Sequence, residues 1–391
     1  MTDYLISGPA IYTEHDVLCD HFLTTHQGLI QGISNKKISK SQRVLEFPNN
    51  YHLVPGFIDL HIHGANGFDV MDGTPEALWG MKKALAAEGV TGFLATTMSA
   101  SHTEIKSALQ NIQETMQKQQ ASQGAIILGV HLEGPFISAE KKGAQPADFI
   151  VSSDQSYFKK LQAFSNNTIK LVTLAPEIEN IIELVHYLKQ QKIIASIGHT
   201  NATFTETMQA ITEGCTYATH VFNAMRGIHQ REPGAVTAAL LSNEVTTELI
   251  ADGQHLHPAI IELILRLKPI EKTILVTDAM RAKCLTDGTY ELGGQSVSVI
   301  SNKATLKDGT LAGSVLTFPQ AIKNMHQWTT YSLSQLFKMT AENQAKLLGL
   351  FHQIGSLQPK KMANLVVLDE KLNTVFTMIA GEIVFNATGR F

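Results

Sequence analysis

The chain has 391 residues, which is enough for one large barrel or for two or three smaller domains. Hydrophobic residues make up 44% and charged residues 17%, a composition typical of a folded globular protein and unlike that of a disordered chain. Lys and Arg number 31 against 35 Asp and Glu, which gives a formal net charge of -4. This balance provides no basic surface field, so we expect neither nucleic acid nor a membrane surface as a partner.

The N-terminal stretch MTDYLISGPAIYTEHD carries acidic residues early and lacks the basic segment and apolar core of a secretory signal peptide. No run of about 18 apolar residues suggests a membrane-spanning helix. The three cysteines, Cys19, Cys215 and Cys284, are far apart and form no C-x-x-C arrangement, which argues against a disulfide framework and a thiolate zinc site. We therefore expect a cytoplasmic protein in a reducing compartment.

Residues 1 to about 53 show short alternating segments separated by turn residues, a pattern typical of a small β unit. From residue 55 the pattern changes to apolar, strand-like runs that alternate with stretches of helical spacing. This alternation predicts parallel strands joined by crossover helices. The predicted strands cover residues 56–62, 90–98, 125–133, 169–175, 193–199, 216–222, 246–252 and 272–278.

Several stretches between these strands have apolar residues at helical spacing, at 76–89, 178–191, 204–214 and 258–268. Eight strand–helix units predict an α/β fold with a closed, TIM-like (β/α)8 barrel. After residue 300, a helical segment at 332–350 is followed by strand periodicity over 363–385. We predict a barrel domain over residues 55–357 and a small β-sandwich domain formed by residues 1–54 and 358–391.

The ends of the predicted strands carry residues of metal-ligand type. In a (β/α)8 barrel the active site lies at the carboxyl ends of the strands. His61 and His63 alternate at the end of the first strand, so their side chains project to the same face. A single histidine or acidic residue at a strand end is more often a hydrogen-bonded core residue or a helix cap than a metal ligand. Together with these two histidines, four other strand ends predict a metal site: Glu133 in HLEGP, His199 in IGHT, His220 in THVFNAM and Asp278 in VTDAM.

Imidazole and carboxylate ligands without a thiolate suit zinc, iron, manganese or cobalt. A carboxylate that bridges would let two divalent ions lie close together, so we predict one or two ions per chain. A bound ion lowers the pKa of water enough to supply hydroxide near neutral pH, and it polarises a substrate carbonyl. The predicted chemistry is hydrolysis, in which Asp278 takes a proton from water and passes it to the leaving group.

Motifs along the chain also carry a family resemblance. They are PGFIDLHIHG (55–64), HLEGPFI (131–137), GHTNA (198–202), THVFNAMRGIHQREPG (219–234), IADGQHLHP (250–258), LVTDAM (275–280) and LAGS (311–314). The sequence resembles the amidohydrolase superfamily and, within it, the N-acetylglucosamine-6-phosphate deacetylase family, over essentially the whole chain. The His-x-His pair and the terminal Asp are typical of the whole superfamily, whereas HLEGP together with HVFNAM and REPG is much narrower.

The resemblance implies an amidohydrolase barrel with a small β-sandwich made from both chain ends. It implies removal of acetate from the 2-acetamido group of N-acetyl-D-glucosamine 6-phosphate, which gives D-glucosamine 6-phosphate. Glu133, His199 and His220 match the family's metal ligands. His61 and His63 match the pair found in members that hold a second ion, so the resemblance makes a site for two ions plausible.

Further site residues follow from the same resemblance. Asp278 matches the catalytic acid/base of the family. The family's sugar-phosphate contacts match Asn223, Ala224, Arg231 and His255. An arginine fork and amide N–H groups supply the strong donors that a phosphate needs. Some phosphate contacts of the family cross a subunit interface, which implies a homodimer.

A departure from the family pattern concerns the predicted chemistry. Many members have a histidine in the loop after HLEGP that helps to polarise the acetamide carbonyl, and the aligned residue here is Gln145. A glutamine amide donates a hydrogen bond to an oxyanion but brings no charge. We therefore expect Gln145 to keep the role of polarising the acetamide carbonyl, with weaker electrostatic stabilisation of the oxyanion.

Other functions stay open at this point. The same chemistry on N-acetylgalactosamine 6-phosphate differs at one hydroxyl group, and the sequence does not separate the two epimers. Ring opening of a cyclic amide or deamination of a base is a further alternative within the superfamily. A non-catalytic scaffold is disfavoured because the full set of ligand residues is present. The metal, the occupancy of the second site and the physiological route, cell-wall recycling or amino-sugar catabolism, also stay open.

Overall fold

The largest element of the fold is a parallel sheet of eight strands that neighbour one another in chain order. The computed structural model describes residues 2–36 and 42–389. Each strand overlaps one of the eight predicted strands, so the predicted (β/α)8 barrel is confirmed. In chain order, the barrel strands are Phe57–Ile62, Val90–Thr97, Ile126–Glu133, Ile169–Leu174, Ile194–Ile197, Cys215–Ala218, Thr246–Leu249 and Thr273–Leu275.

The barrel closes between its eighth and first strands at the carboxyl end. The backbone N–H of Asp278 donates to the carbonyl of His61 at 2.8 Å, and the N–H of His63 donates to the carbonyl of Ala279 at 2.9 Å. A parallel bridge joins Ile62 to Ala279. The residues that close the barrel are therefore the predicted ligand residues or their direct neighbours.

Helices connect the strands and cover the outside of the barrel. The first long helix begins at Pro75, whose missing N–H is not needed there, and Thr74 caps it by accepting from the N–H of Ala77. Its buried residues, such as Leu78 and Leu85, recur at helical spacing and pack into the barrel core. The α-helices are Pro75–Ala87, His102–Lys118, Gln155–Phe164, Ile181–Gln190, Phe204–Glu213, Ala235–Leu241, Pro258–Leu267, Phe318–Trp328, Leu333–Phe337 and Asn343–Leu347.

The last helical segment is interrupted by a π turn. Lys338–Glu342 has π geometry and separates the two short helices on either side of it. Directly after this turn, the side-chain amide of Asn343 donates to the carbonyls of Ile270 and Thr273 at 2.8 Å each. These hydrogen bonds fix the segment against the start of the eighth barrel strand. The sequence pattern predicts helix here but not the change of helical period.

Two further sheets are built from the chain ends, one from N-terminal strands alone and one from strands of both ends. One has four strands, Tyr4–Ser7, Phe22–His26, Leu29–Ser34 and Arg43–Glu46. The other has six, Ala10–Tyr12, Val17–Leu18, His52–Pro55, Leu365–Leu368, Thr374–Ile379 and Glu382–Asn386. Buried residues of both sheets form one hydrophobic cluster, separate from the barrel core.

These two sheets are the region assigned from the sequence to the β-sandwich domain. Strand His52–Pro55 pairs within the six-stranded sheet, and the first barrel strand follows it after a single residue. We propose the boundaries 1–54 with 358–391 for the sandwich and 55–357 for the barrel. Residues 1, 37–41 and 390–391 of the sandwich assignment lie outside the described residues.

A three-stranded antiparallel sheet follows the eighth barrel strand and lies beside the barrel mouth. Its strands are Gly288–Leu292, Gln295–Ile300 and Lys303–Thr305. Leu292 and Val297 of this sheet share a buried cluster with Met98 and Met280 from the barrel. Sequence reasoning assigned no element to this segment. Within the described part of the chain, none of the helices has both the length and the apolar character needed to span a membrane.

Candidate active site

The His-x-His pair lies where the first barrel strand ends. Both imidazoles are buried, and their Nε2 atoms face each other at 3.3 Å. A side-chain carbon at Gly64 would lie 2.4 Å from the carbonyl oxygen of Phe68 and 2.7 Å from the backbone nitrogen of Arg281. Glycine is therefore required after His63, because the chain there passes directly against its neighbours.

Glu133, at the end of the third barrel strand, lies at the centre of the histidines. Its Oε1 atom lies 3.1 Å from Nε2 of His199, 3.2 Å from Nε2 of His220 and 3.3 Å from Nε2 of His61. Its Oε2 atom lies 3.2 Å from Nε2 of His63. One carboxylate thus faces four imidazole nitrogens and could be shared between two ions.

Three of the clustered residues lie beyond their strands in a left-handed backbone conformation. The φ angles are 47° at His199, 29° at His220 and 48° at Asp278. For a residue with a side chain, this conformation is strained by about 1–3 kcal/mol. Such strain persists where the surrounding structure requires it, and here it accompanies side chains that lie together at the barrel mouth.

The electrostatics of the cluster favour a cation. Burial alone would lower the pKa of His63, but its hydrogen bonds to Asp278 and Glu133 raise it to about 9. Burial also opposes a charged His61, yet the charges of Asp278, Glu133 and Glu248 raise its pKa well above the ordinary value. Burial would raise the pKa of Glu133, but the neighbouring histidines lower it well below its usual range. The buried carboxylates therefore require positive charge between them, which protons or metal ions can supply.

The donor set fits divalent metal ions. Two groups bring three ligand atoms within 4.8 Å of one another, His61 with His63 and Glu133, and Glu133 with His199 and His220. The Nδ1 atom of His199 hydrogen-bonds with the backbone carbonyl of Lys141 at 3.0 Å, so Nε2 is free to bind an ion. The two groups share Glu133, an arrangement suited to two neighbouring ions.

A cavity of about 330 Å³ opens directly onto this cluster. It has the size and mixed polarity of a small-molecule site. The predicted residues that line it are His63, Glu133, Gln145, His199, His220, Asn223, Ala224, His255 and Asp278. His61 lies beneath them, fully buried. Arg231 is exposed on the loop after the sixth barrel strand and lies outside this set.

Gln145 is held between the cluster and the second barrel strand's end. Its amide oxygen accepts from the backbone N–H of Ser99 at 2.7 Å, and its amide nitrogen donates to Oε2 of Glu133 at 2.8 Å. The amide nitrogen carries two protons, so one remains for a ligand in the cavity. The residue therefore orients the central carboxylate as well as facing the cavity.

Sequence reasoning missed two acidic residues that contact the site histidines. Asp252 accepts from Nδ1 of His255 at 2.7 Å, and Glu248 lies 3.1 Å from Nδ1 of His61. Asp252 stands three residues before His255 in IADGQHLHP, a spacing that suits a turn. Glu248 was detectable as a single acid in the apolar run TTELIA, because a buried acid needs a partner.

Comparisons with known proteins agree with this geometry. The amidohydrolase family matches residues 52–384. The chain is 42% identical over 383 residues to an N-acetylglucosamine-6-phosphate deacetylase of Bacillus subtilis (strain 168), covering 97% of each chain. It is 35% identical over 380 residues to an N-acetylgalactosamine-6-phosphate deacetylase of Escherichia coli O157:H7, covering 97% of this chain and 99% of the relative.

A solved structure shows the same fold. The N-acetylglucosamine-6-phosphate deacetylase from Pasteurella multocida superposes with a TM-score of 0.92 at 29% identity, covering 97% of this chain and 99% of that chain. The family resemblance inferred from the motifs is thereby confirmed. With its barrel, its ring of imidazoles and carboxylates at the strand ends and these relatives, the chain belongs to the amidohydrolase family.

Proposed function

We propose that the chain is a metal-dependent deacetylase that hydrolyses N-acetyl-D-glucosamine 6-phosphate to D-glucosamine 6-phosphate and acetate. The observation that carries the proposal is that Asp278 and the clustered imidazoles open onto the same cavity as Asn223 and His255. The side chains proposed for hydrolysis and those proposed for binding the sugar phosphate thus lie in the same cavity. The named activity of the Bacillus subtilis relative supports the substrate.

The ligands proposed for the first ion are Glu133, His199 and His220, and those for the second are His61 and His63, with Glu133 shared and Asp278 alongside. Zinc, iron, manganese and cobalt all suit imidazole and carboxylate donors. When bound, such an ion lowers the pKa of water and polarises the acetamide carbonyl. The remaining work belongs to the side chains of the cavity.

Asp278 is the proposed proton carrier. Its Oδ1 atom lies 3.2 Å from Nε2 of His61 and 3.3 Å from Nε2 of His63. Burial alone would raise the pKa of Asp278, but the charges of these histidines lower it below its ordinary value. The group is therefore a carboxylate at neutral pH, able to accept a proton from attacking water and then deliver it to the departing amine.

The carbonyl oxygen of the acetamide develops negative charge during the reaction. We propose that the free amide proton of Gln145 donates to that oxygen while the other proton holds Glu133. A neutral donor gives weaker stabilisation than a charged imidazole would. Gln145 thus links the orientation of the central carboxylate to the stabilisation of the substrate.

Asn223, Ala224 and His255 are the proposed contacts for the sugar and its phosphate within one chain. Arg231 lies on an exposed loop that also presents Ile228, whose exposed fraction is 52%. An exposed apolar side chain and an exposed arginine on one loop are typical of a subunit interface. We propose a homodimer in which Arg231 contacts the phosphate bound by the partner subunit.

We further propose that the protein acts in the cytoplasm, in amino-sugar metabolism. The three cysteines, Cys19, Cys215 and Cys284, are free thiols, which fits a reducing compartment. A second candidate substrate is N-acetylgalactosamine 6-phosphate, because the Escherichia coli relative is named for that activity. The two substrates differ at one hydroxyl group, so the same site residues apply to both.

The test is acetate release by the purified protein with its metal content quantified. N-acetylglucosamine 6-phosphate is compared with its galactose epimer and with unphosphorylated N-acetylglucosamine, before and after chelation. We expect fast release from the first substrate, weak release without phosphate and loss of both after chelation. Faster release from the galactose epimer would favour the second candidate. Absence of release from all three sugars with metal bound would overturn the substrate proposal.

A further inference from the structure

Glu248 is a fully buried acid that the mechanism above does not use. It lies in the seventh barrel strand, Thr246–Leu249, beneath the metal-ligand cluster. Its neighbours in this strand are buried as well. Burying an ionised carboxylate is expensive unless hydrogen bonds and charges compensate it, so the partners of Glu248 show what it does.

One oxygen of Glu248 joins two sides of the cluster. Oε2 lies 3.1 Å from Nδ1 of His61, and it accepts a hydrogen bond from the backbone N–H of His220 at 2.9 Å. The opposite nitrogen of the same imidazole, Nε2 of His61, faces Glu133 at 3.3 Å and Asp278 at 3.2 Å. Glu248 therefore contacts the imidazole on the side away from the ligands.

This contact favours Nε2 of His61 as the nitrogen available to a metal ion. An ionised carboxylate only accepts hydrogen bonds, so when His61 is neutral, as a metal ligand is, its proton lies on Nδ1. A neutral imidazole carries one N–H, which leaves the lone pair of Nε2 directed at the cluster. The negative charge behind the ring also makes the imidazole a stronger metal ligand.

The other imidazoles of the cluster lack this support. His199 uses a backbone carbonyl at Nδ1, and Nδ1 of His63 and of His220 has no hydrogen-bond partner among the described residues. Among the described residues, His61 is therefore the histidine of the cluster whose Nδ1 atom contacts a carboxylate, that of Glu248. Glu248 thus acts on one ion site more than on the other.

We infer that Glu248 is a positioning residue for His61 and that its charge keeps the ion of the His61–His63 site bound. The inference rests on the two-ion site proposed above. Another possibility is that Glu248 itself binds an ion with His61 and His131, whose ligand atoms also lie close together. However, Nε2 of His131 is hydrogen-bonded with the hydroxyl of Thr173 at 2.7 Å, and Oε2 of Glu248 also accepts from the backbone N–H of His220 at 2.9 Å, so both residues are engaged by partners outside that group.

The test replaces the charge while keeping the shape, with Glu248→Gln. Metal per chain is measured after equilibration in metal buffers, and the affinity of each ion is measured by competition with a chelator. We expect the variant to keep the ion held by Glu133, His199 and His220, and to bind the second ion about 10- to 100-fold more weakly. Glu244→Gln is the matched control, because Glu244 is an exposed acid just before the same strand, and we expect it to match the wild type.

A second background separates the two contacts of Glu248. In His61→Asn, which we expect to retain the ion held by Glu133, His199 and His220, adding Glu248→Gln should change the affinity of that ion less than about 3-fold. A comparable loss in that background would mean that Glu248 acts through His220 or through the fold, and would overturn the inference. If Glu248→Gln does not fold, Glu248→Asp is the second variant, because it shortens the side chain by one methylene and moves the charge away from His61. Unchanged binding of the second ion by Glu248→Asp would equally overturn the inference.

The wild type distinguishes failure of the inference from failure of the proposed function. Two ions in the wild type with unchanged affinities in Glu248→Gln would overturn the inference alone. A single ion in the wild type that is unaffected by His61→Asn would show that the proposed pair of ions is wrong, and the inference would fall with it.

Discussion

At the scale of single residues, Asp278 combines three properties that the proposed reaction needs. It is nearly buried, it lines the cavity, and the charges of His61 and His63 keep its pKa low although burial opposes this. Its backbone N–H also takes part in closing the barrel, so the carboxylate is fixed relative to the first strand. A fixed, ionised carboxylate beside the reacting carbonyl is what proton transfer requires.

We predict that Asp278→Asn lowers kcat by about 100-fold or more and leaves most of the bound metal in place. The amide keeps the size of the side chain but loses the ability to accept and return a proton. The measurements are kcat at saturating substrate and metal per chain. Asp287→Asn, at an exposed acid, is the control and should retain full activity. Normal turnover in Asp278→Asn would remove the assigned role.

A second residue-scale prediction concerns Asp252 and His255. Burial alone would lower the pKa of His255, but the hydrogen bond and the charge of Asp252 raise it. The imidazolium therefore persists to higher pH, and affinity for an anionic substrate should fall as the pH rises through this raised pKa. Asp252→Asn removes the charge, so the rise in KM should begin at lower pH, and KM at neutral pH should increase by about 10-fold.

The measurement is KM and kcat as a function of pH for the wild type and for Asp252→Asn. A change in KM with kcat nearly constant indicates loss of substrate binding rather than of chemistry. If the two KM profiles coincide, Asp252 does not control the protonation of His255.

At the scale of elements, a buried ion pair joins the first barrel helix to the loop after the eighth strand. Nζ of Lys283 lies 2.5 Å from Oε1 of Glu88, a contact between charges rather than an aligned hydrogen bond. Burial raises the pKa of Glu88, and the charge of Lys283 opposes that rise. The other oxygen of Glu88 accepts from the backbone N–H of Phe318 at 2.9 Å.

We predict that Lys283→Met lowers the free energy of unfolding by about 3–5 kcal/mol, because it leaves the carboxylate of Glu88 buried without a counter-charge. The double variant Lys283→Met with Glu88→Gln removes that charge but keeps an acceptor for Phe318, so it should recover much of the loss. Urea unfolding of both variants is the measurement. Equal destabilisation of the single and double variants would show that the pair acts by packing and not by charge.

At the scale of the whole molecule, the proposed phosphate contacts are divided between one cavity and one exposed loop. Asn223 and His255 line the cavity, whereas Arg231 is exposed outside it. An arginine that binds the phosphate of the partner subunit would make each active site depend on two chains. The oligomeric state and the substrate affinity would then be linked.

We predict that Arg231→Ala raises KM for the phosphorylated sugar by about 10-fold or more and leaves the unphosphorylated sugar unaffected, because one charged hydrogen-bonding fork is lost. Mixing Arg231→Ala chains with Asp278→Asn chains should restore activity at low substrate after subunit exchange, since one site of the mixed dimer is then complete. Arg266→Ala, at an exposed arginine paired with Glu262, is the control. No recovery on mixing would place Arg231 in its own chain's site.

Much of the fold was predictable because it depends on local patterns. Strand-like apolar runs that alternate with helical spacing have few arrangements other than a parallel barrel, and the eight predicted strands overlap the observed ones. The three-stranded sheet over residues 288–305 was not predicted. Its strands are short, and its own buried residues, such as Leu292 and Val297, complete their core only with Met98 and Met280 from elsewhere in the chain.

The sequence by itself determined the family and the set of candidate ligands, because polar residues that end buried strands can meet only at one rim of a barrel. Only the tertiary structure decided how those residues are supported. His61 and Glu248 are 187 positions apart, and no local pattern predicts that their side chains meet. The left-handed backbone at His199, His220 and Asp278 likewise exists because contacts distant in the chain compensate its strain.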